Sequence, residues 1–144
     1  MELVIPARQE LSACAEAYCS AYAVSPWNEA YEQEEVVQYL ASYLDSDALR
    51  CYALVSDGRI AGLALGIVVP GIGGLYFRVE DFCVAASEQR RGYGCEMMQL
   101  LEEEVRKSGC TDILLGTQHG FPSHRFYLKN GFKEIKSVLL YKAL

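Results

Sequence analysis

The chain lacks the surplus of lysine and arginine that a general nucleic-acid binder needs. Its formal charge is −6, and neutralising phosphates takes basic residues in excess. No two of its cysteines stand in a Cys-x-x-Cys spacing, and neither histidine is spaced to complete a zinc site with them, so no metal is expected. The opening run Met1-Glu2-Leu3-Val4-Ile5-Pro6 has no basic region and no long apolar stretch, which argues against a signal peptide or a membrane span there. Internal repeats, low-complexity tracts and linkers are absent as well. Residues 1–144 are therefore read as a single domain, a length that leaves little room for a second.

What is present is apolar. Hydrophobic residues make up 51% of the chain, enough to build a core and to set disorder aside. The six cysteines are scattered, and several fall inside apolar segments, where a free thiol behaves as a small hydrophobe. A disulfide scaffold does not suit this length and hydrophobicity, so reduced thiols and a cytoplasmic location are expected.

The apolar pattern predicts the elements. Leu3 to Ile5 reads as a first strand stopped by Pro6. Leu11, Ala15, Tyr18 and Tyr22 recur at helical spacing, and so do Val36, Val37, Leu40, Tyr43 and Leu44. Asp57-Gly58 between two apolar runs signals a hairpin. After the loop Pro70 to Gly74, Leu75 to Ala85 reads as a long strand rich in Phe and Val. A helix follows with Met97, Met98, Leu101 and Val105 on its apolar face, closed by Lys107-Ser108-Gly109. Asp112 to Gly116 is a strand, Pro122 to Lys129 a short helix stopped by Asn130-Gly131, and Val138 to Tyr141 a final strand. The hairpin makes part of the sheet antiparallel, and the later crossover favours one parallel pair.

Gln89-Arg90-Arg91-Gly92-Tyr93-Gly94 lies between the long strand and the third long helix. A helix start leaves backbone N–H groups without internal partners, and the helix dipole adds positive potential there. Glycines let the backbone approach a phosphate closely, and the arginines add charge, so the turn suits a pyrophosphate. Neither GxxxxGK(S/T) nor GxGxxG is present, so neither an NTPase nor a dinucleotide oxidoreductase is supported.

Glu80-Asp81-Phe82-Cys83-Val84 together with that turn resembles the first signature of the Gcn5-related N-acetyltransferase (GNAT) superfamily, a strand followed by Gln/Arg-x-x-Gly-x-Gly/Ala at a helix start. Ser123-His124-Arg125-Phe126-Tyr127-Leu128-Lys129-Asn130-Gly131-Phe132 resembles its second, a short helix with Phe-Tyr that runs into Asn-Gly-Phe. The resemblance covers roughly Leu75 to Phe132, and the order of the earlier elements also matches. It implies a GNAT-like α/β (α+β) fold: a mixed, mostly antiparallel central sheet flanked by helices in the order β-α-α-β-β-β-α-β-α-β.

The resemblance also implies an acetyl-CoA-dependent N-acetyltransferase that acts on a primary amine by direct attack in a ternary complex. CoA pyrophosphate would fall to the backbone of Gln89, Arg90, Arg91, Gly92, Tyr93, Gly94 and Cys95. The pantetheine arm would pair with Phe82, Cys83 and Val84 as an added strand does. Ser123 stands where the family often has Asn, either as a pantetheine contact or as a weaker helix cap. Tyr127 matches the tyrosine that protonates the departing thiolate. Alkylamines are mostly protonated at neutral pH, so a proton must leave. Glu80 is the first candidate to take it, since its Glu-Asp context resembles the polyamine-acetylating branch, and His119 is a rival. Alternation along a strand would let only one of Glu80 and Asp81 enter the site. His124 is expected on the exposed face of the last helix.

The acceptor pocket would lie at Ala23 to Glu35, where Pro26-Trp27-Asn28-Glu29 resembles some aminoglycoside-modifying members. Trp27, Glu29, Glu32, Glu34 and Glu35 would form an acidic, partly aromatic rim for a cation. A small aminoglycoside- or polyamine-like amine is favoured over a protein, with no nucleic acid or membrane as partner. Members of the family often dimerise, which leaves a homodimer open. The alternative is a CoA-binding regulatory or interaction module without turnover. An acyl-cysteine route through Cys83 or Cys95 would need a histidine that the spacing does not supply.

Overall fold

The computed structural model describes residues 1–144. Nine regular elements follow in order: β1 (Glu2–Val4), α1 (Leu11–Ala23), α2 (Gln33–Ser42), β2 (Leu49–Ser56), β3 (Arg59–Gly71), β4 (Gly74–Val84), α3 (Tyr93–Lys107), β5 (Cys110–Leu114) and α4 (Pro122–Lys129). The strands form one sheet in the order β1-β2-β3-β4-β5, antiparallel throughout except for the β4–β5 pair. That pair is parallel because α3 carries the chain back between its strands. No helix is long and apolar enough to cross a membrane.

The helical stripes bury the faces their spacing predicts. Leu11, Ala15 and Tyr18 of α1 join Val36 and Leu40 of α2 in one core layer against Cys51, Leu63 and Cys83 of the sheet. Met98, Leu101 and Val105 of α3 cover the opposite face against Phe77 and Val79. Each fully buried aliphatic or thioether side chain contributes about 1.5–3 kcal/mol. Such burial, rather than local propensity, holds these short helices in place.

One irregularity decides where the functional groups point. Leu65 of β3 pairs with Asp81, but Gly66 pairs with Val79, so Glu80 is an extra residue in β4. A bulge of this kind shifts the side-chain alternation by one. Val79 accordingly packs on the α3 side while Cys83, four residues on, packs on the α1–α2 side. Without the bulge the two would share a face.

The final strand expected at Val138 to Tyr141 is not formed. Residues 130–144 carry no strand or helix, and Val138, Leu139, Leu140 and Tyr141 are 82–92% exposed. A strand exists only by pairing, and the sole ladder β5 makes is with β4. An apolar run alone does not supply the neighbour.

Candidate functional site

The parallel β4–β5 ladder ends where Arg78 meets Leu114. From Val79 to Val84, the edge of β4 on that side has no neighbouring strand, which leaves room for an extended guest to pair along it. Phe82, Cys83 and Val84 lie on this stretch. Gln89 reaches back from the turn, its amide donating to the Val84 carbonyl at 3.1 Å. Cys83 is buried, and burial pushes its thiol up, which suits a packing residue rather than a nucleophile.

The glycine-rich turn leads from this edge into α3. Gly92 is the residue that caps the helix, with φ +81° in the left-handed region that favours glycine. The first bond of the ladder runs from Glu96 N–H to the Gly92 carbonyl at 3.3 Å. The amides of Tyr93, Gly94 and Cys95 precede that ladder and stand at the positive end of the helix dipole. Gly94 has a second task, since a Cβ there would come within 3.1 Å of the Phe126 ring. Arg90 is exposed, whereas Arg91 donates to Glu88 at 3.0 Å. Glu88 is only 5% exposed and also pairs with Arg59 at 3.2 Å. It anchors the turn, a role not visible before the fold placed Arg59 beside it.

A cleft of about 220 Å³ opens beside the unpaired edge of β4. Tyr127, Ser123 and Thr117 line it from the α4 side, Glu80, Asp81 and Phe82 from β4, and Tyr22 and Trp27 from the first helical layer. Asn130-Gly131-Phe132 fixes Tyr127 by closing α4. Gly131 N–H bonds the Leu128 carbonyl, Phe132 N–H bonds the Tyr127 carbonyl at 3.1 Å, and the Phe132 ring packs on Tyr127 with centroids 5.4 Å apart. This is the Schellman arrangement, with Gly131 at φ +90°. Asn130 also donates to the Phe126 carbonyl and to Cys95 Sγ at 3.6 Å, tying α4 to the head of α3. Burial, with Cys83 and Asp81 nearby, pushes the Tyr127 phenol up, so it stays protonated at neutral pH.

Asp81 is the centre of the opposite wall. Tyr22 donates to its Oδ1 at 2.9 Å, Tyr18 to the same atom at 3.3 Å, and Tyr39 donates to Oδ2. Burial raises its pKa above the ordinary value, against the three hydroxyls that favour the charged form. Tyr22 stacks edge-on with Trp27, and Trp27 with Phe121, centroids 5.8 and 5.2 Å apart. Glu80, the bulged residue, also lines the cleft, as do its neighbours Val79 and Phe82, and the bulge interrupts the strict alternation expected of this stretch. The Glu80 carboxylate accepts a bond from Arg78 at 2.6 Å. The hydroxyls of Tyr18, Tyr22 and Tyr39 escape a sequence reading, because helical spacing marks Tyr18 and Tyr22 as core, leaves Tyr39 off the apolar stripe of α2, and cannot show that the three converge on one carboxylate.

The remaining candidates lie elsewhere. Glu29, Glu32, Glu34 and Glu35 are exposed and none lines the cleft; of the expected rim only Trp27 does. Ser123 does not cap α4. Phe121 holds that position, and Ser123 Oγ bonds Thr117 Oγ1 at 2.9 Å. His119 is exposed and outside the cleft lining. His124 is half-buried rather than exposed, its Nε2 2.6 Å from Glu134 Oε1. A larger cavity of about 600 Å³ between the β1–α1 connection and β2 shares no residue with the turn or with the Tyr127 cleft.

A family model described as "Acetyltransferase (GNAT) family" matches residues 11–132. No curated protein matches the chain by sequence. Among solved structures, a GNAT family acetyltransferase from Staphylococcus aureus superposes with a TM-score of 0.78 at 16% identity, covering 99% of this chain and 100% of that one. An aminoglycoside antibiotic 6'-N-acetyltransferase from Acinetobacter haemolyticus gives 0.79 at 14% identity, with 100% and 99% covered. An aminoglycoside N-acetyltransferase solved with CoA gives 0.76 at 15% identity, with 99% and 92% covered. At these identities the likeness is one of fold.

Proposed function

The chain belongs to the acetyltransferase (GNAT) family, and from that premise we propose that it moves the acetyl group of acetyl-CoA onto the primary amine of a small cationic molecule. The α3 turn would hold the pyrophosphate on the amides of Tyr93, Gly94 and Cys95, with Arg90 adding charge. The free edge of β4 would take the pantetheine arm as a strand and point the thioester into the cleft. Both are arrangements of this chain's backbone and need no particular side chain on β4.

The observation that carries the reading is that one cleft holds a protonated phenol, Tyr127, and a half-buried carboxylate, Asp81. An ammonium group is drawn to Asp81 and to the faces of Trp27 and Tyr22. Its proton passes to the carboxylate, directly or through water, which frees the lone pair. The nitrogen then attacks the thioester carbon, the C–S bond breaks, and the departing thiolate takes the Tyr127 proton. The phenolate so formed recovers a proton, directly or through water, from the acylated nitrogen to leave the neutral amide. Asp81 is preferred to Glu80 for the first step because burial raises its affinity for a proton despite the three tyrosine hydroxyls, whereas a guanidinium pairs with Glu80. Cys83 has no role as an acyl carrier in this scheme, since burial holds it as a thiol.

Release of free CoA from acetyl-CoA, followed across a panel of polyamines, aminoglycosides and lysine peptides, tests the proposal. Turnover is expected with one of the small cations. In the Tyr127→Phe variant kcat should fall about 10²-fold or more, the usual worth of a positioned proton donor, with acetyl-CoA binding little changed. Binding of acetyl-CoA with no release on any amine would instead identify a coenzyme-binding module. An unchanged kcat in Tyr127→Phe would remove the acid.

A further inference from the structure

The fold brings together three side chains that spacing keeps apart: His119 from the loop after β5, His124 from α4, and Glu134 from the segment after α4. Their ligand atoms all lie within 4.8 Å of one another. Glu134 Oε1 is 2.6 Å from His124 Nε2 and 3.6 Å from His119 Nδ1, and the two imidazole rings meet edge-on with centroids 4.6 Å apart. We propose that these three residues form a binding site for a divalent transition-metal ion of the zinc type.

The donor set is two imidazole nitrogens and one carboxylate oxygen. Imidazole suits zinc, copper and nickel, whereas calcium and magnesium require oxygen ligands. A zinc ion sits about 2.1 Å from such atoms, so tetrahedral ligands stand about 3.4 Å apart. The observed separations straddle that value. The carboxylate and the half-buried His124 need only part by a fraction of an ångström, and His119, on the exposed loop, can rotate toward them. A fourth position stays open to water.

None of the three lines the cleft, so the ion acts on structure rather than on the acetyl group. Residues 130–144 have neither helix nor strand, and Val138 to Tyr141 are largely exposed. Glu134 meets α4 through its side chain, beyond the contacts that Asn130 and Phe132 make at the helix end. A metal ion would replace one His–Glu hydrogen bond with three coordinate bonds. It would thereby fasten the loop after β5, the helix that carries Tyr127, and the segment beyond it into one unit.

Titration of the full-length, tag-free, reduced chain with Co²⁺ tests this. One ion per chain should bind with the visible absorption of a nitrogen–oxygen site and no thiolate charge-transfer band, and Zn²⁺ should displace it. His119→Ala and Glu134→Gln should each weaken Co²⁺ binding at least about tenfold, the lower bound for losing even an outer partner of a metal site. Both side chains are mostly exposed, so the fold should survive either change. Zn²⁺ should also slow amide exchange in residues 130–144 of the wild type and not of the variants. Absence of stoichiometric binding, binding unchanged in both variants, or a thiolate band pointing to a cysteine site would each overturn the assignment. Exchange unaffected by Zn²⁺ would overturn the fastening role.

Discussion

Asp81 lives under two opposing influences. Three tyrosine hydroxyls stabilise its charged form, and each hydrogen bond to an ion contributes about 1.5–3 kcal/mol. Burial works the other way and prevails, so its pKa lies above the ordinary 3.8. A raised carboxyl pKa means that the folded state binds the proton more tightly than the unfolded chain does. The stability this group contributes is therefore complete below pH 3.8 and is lost as pH rises through the raised value. Asp81→Asn keeps the shape and an acceptor oxygen but cannot ionise. In urea unfolding from acid to neutral pH, the wild type should lose stability relative to the Asn variant across that window, and the difference should level off above it. A gain of the wild type over the variant would mean that the hydroxyls outweigh burial, and Asp81 would then be too weak a base for the role given it.

At the scale of elements, the turn into α3 separates what the backbone does from what side chains do. A Cβ at Gly92 would meet no atom within 4 Å, so the obstacle there is the φ of +81° alone. Asn and Asp tolerate that region best among the other residues, and both favour helix starts. Gly92→Asn and Gly92→Asp should thus fold, both with modest strain, and differ from each other by one negative charge. Titration calorimetry should show the Asp variant binding CoA at least about tenfold more weakly than the Asn variant, equivalent to about 1.4 kcal/mol. Equal affinities would place the pyrophosphate elsewhere. The turn itself is readable in the chain because it is local: glycines, a helix start and a preceding apolar strand. So are the stripes of α1, α2 and α3 and the Asp57-Gly58 hairpin, whose signals repeat within one element. The extra residue at Glu80 is not readable, since a bulge belongs to a pair of strands and only β3 reveals it. For the same reason Glu88 hides its bond to Arg59, the His119–His124–Glu134 cluster hides behind its spacing, and Val138 to Tyr141 reads as a strand although nothing pairs with it.

At the scale of the whole molecule, the proposed coenzyme site is assembled from parts that no single element could hold. The free edge of β4 depends on β5 ending at Leu114, the amides of Tyr93 to Cys95 on the packing of α3 under the sheet, and the placement of Tyr127 on the closure of α4 at Gly131. Asn130 joins the last two through Cys95. An unfolded chain offers none of these groups in the right relation, so CoA should bind the native state alone and stabilise it by mass action. At a CoA concentration about 100 times Kd, that linkage is worth about 2.7 kcal/mol. For a domain of this size it should raise Tm by about 5–11 °C. The shift should grow with the logarithm of CoA concentration and shrink in Gly92→Asp by the amount its weaker Kd dictates. Calorimetric scans at graded CoA concentrations measure both. A midpoint independent of CoA would show that the edge, the helix head and α4 do not act together on one ligand, however well each is formed.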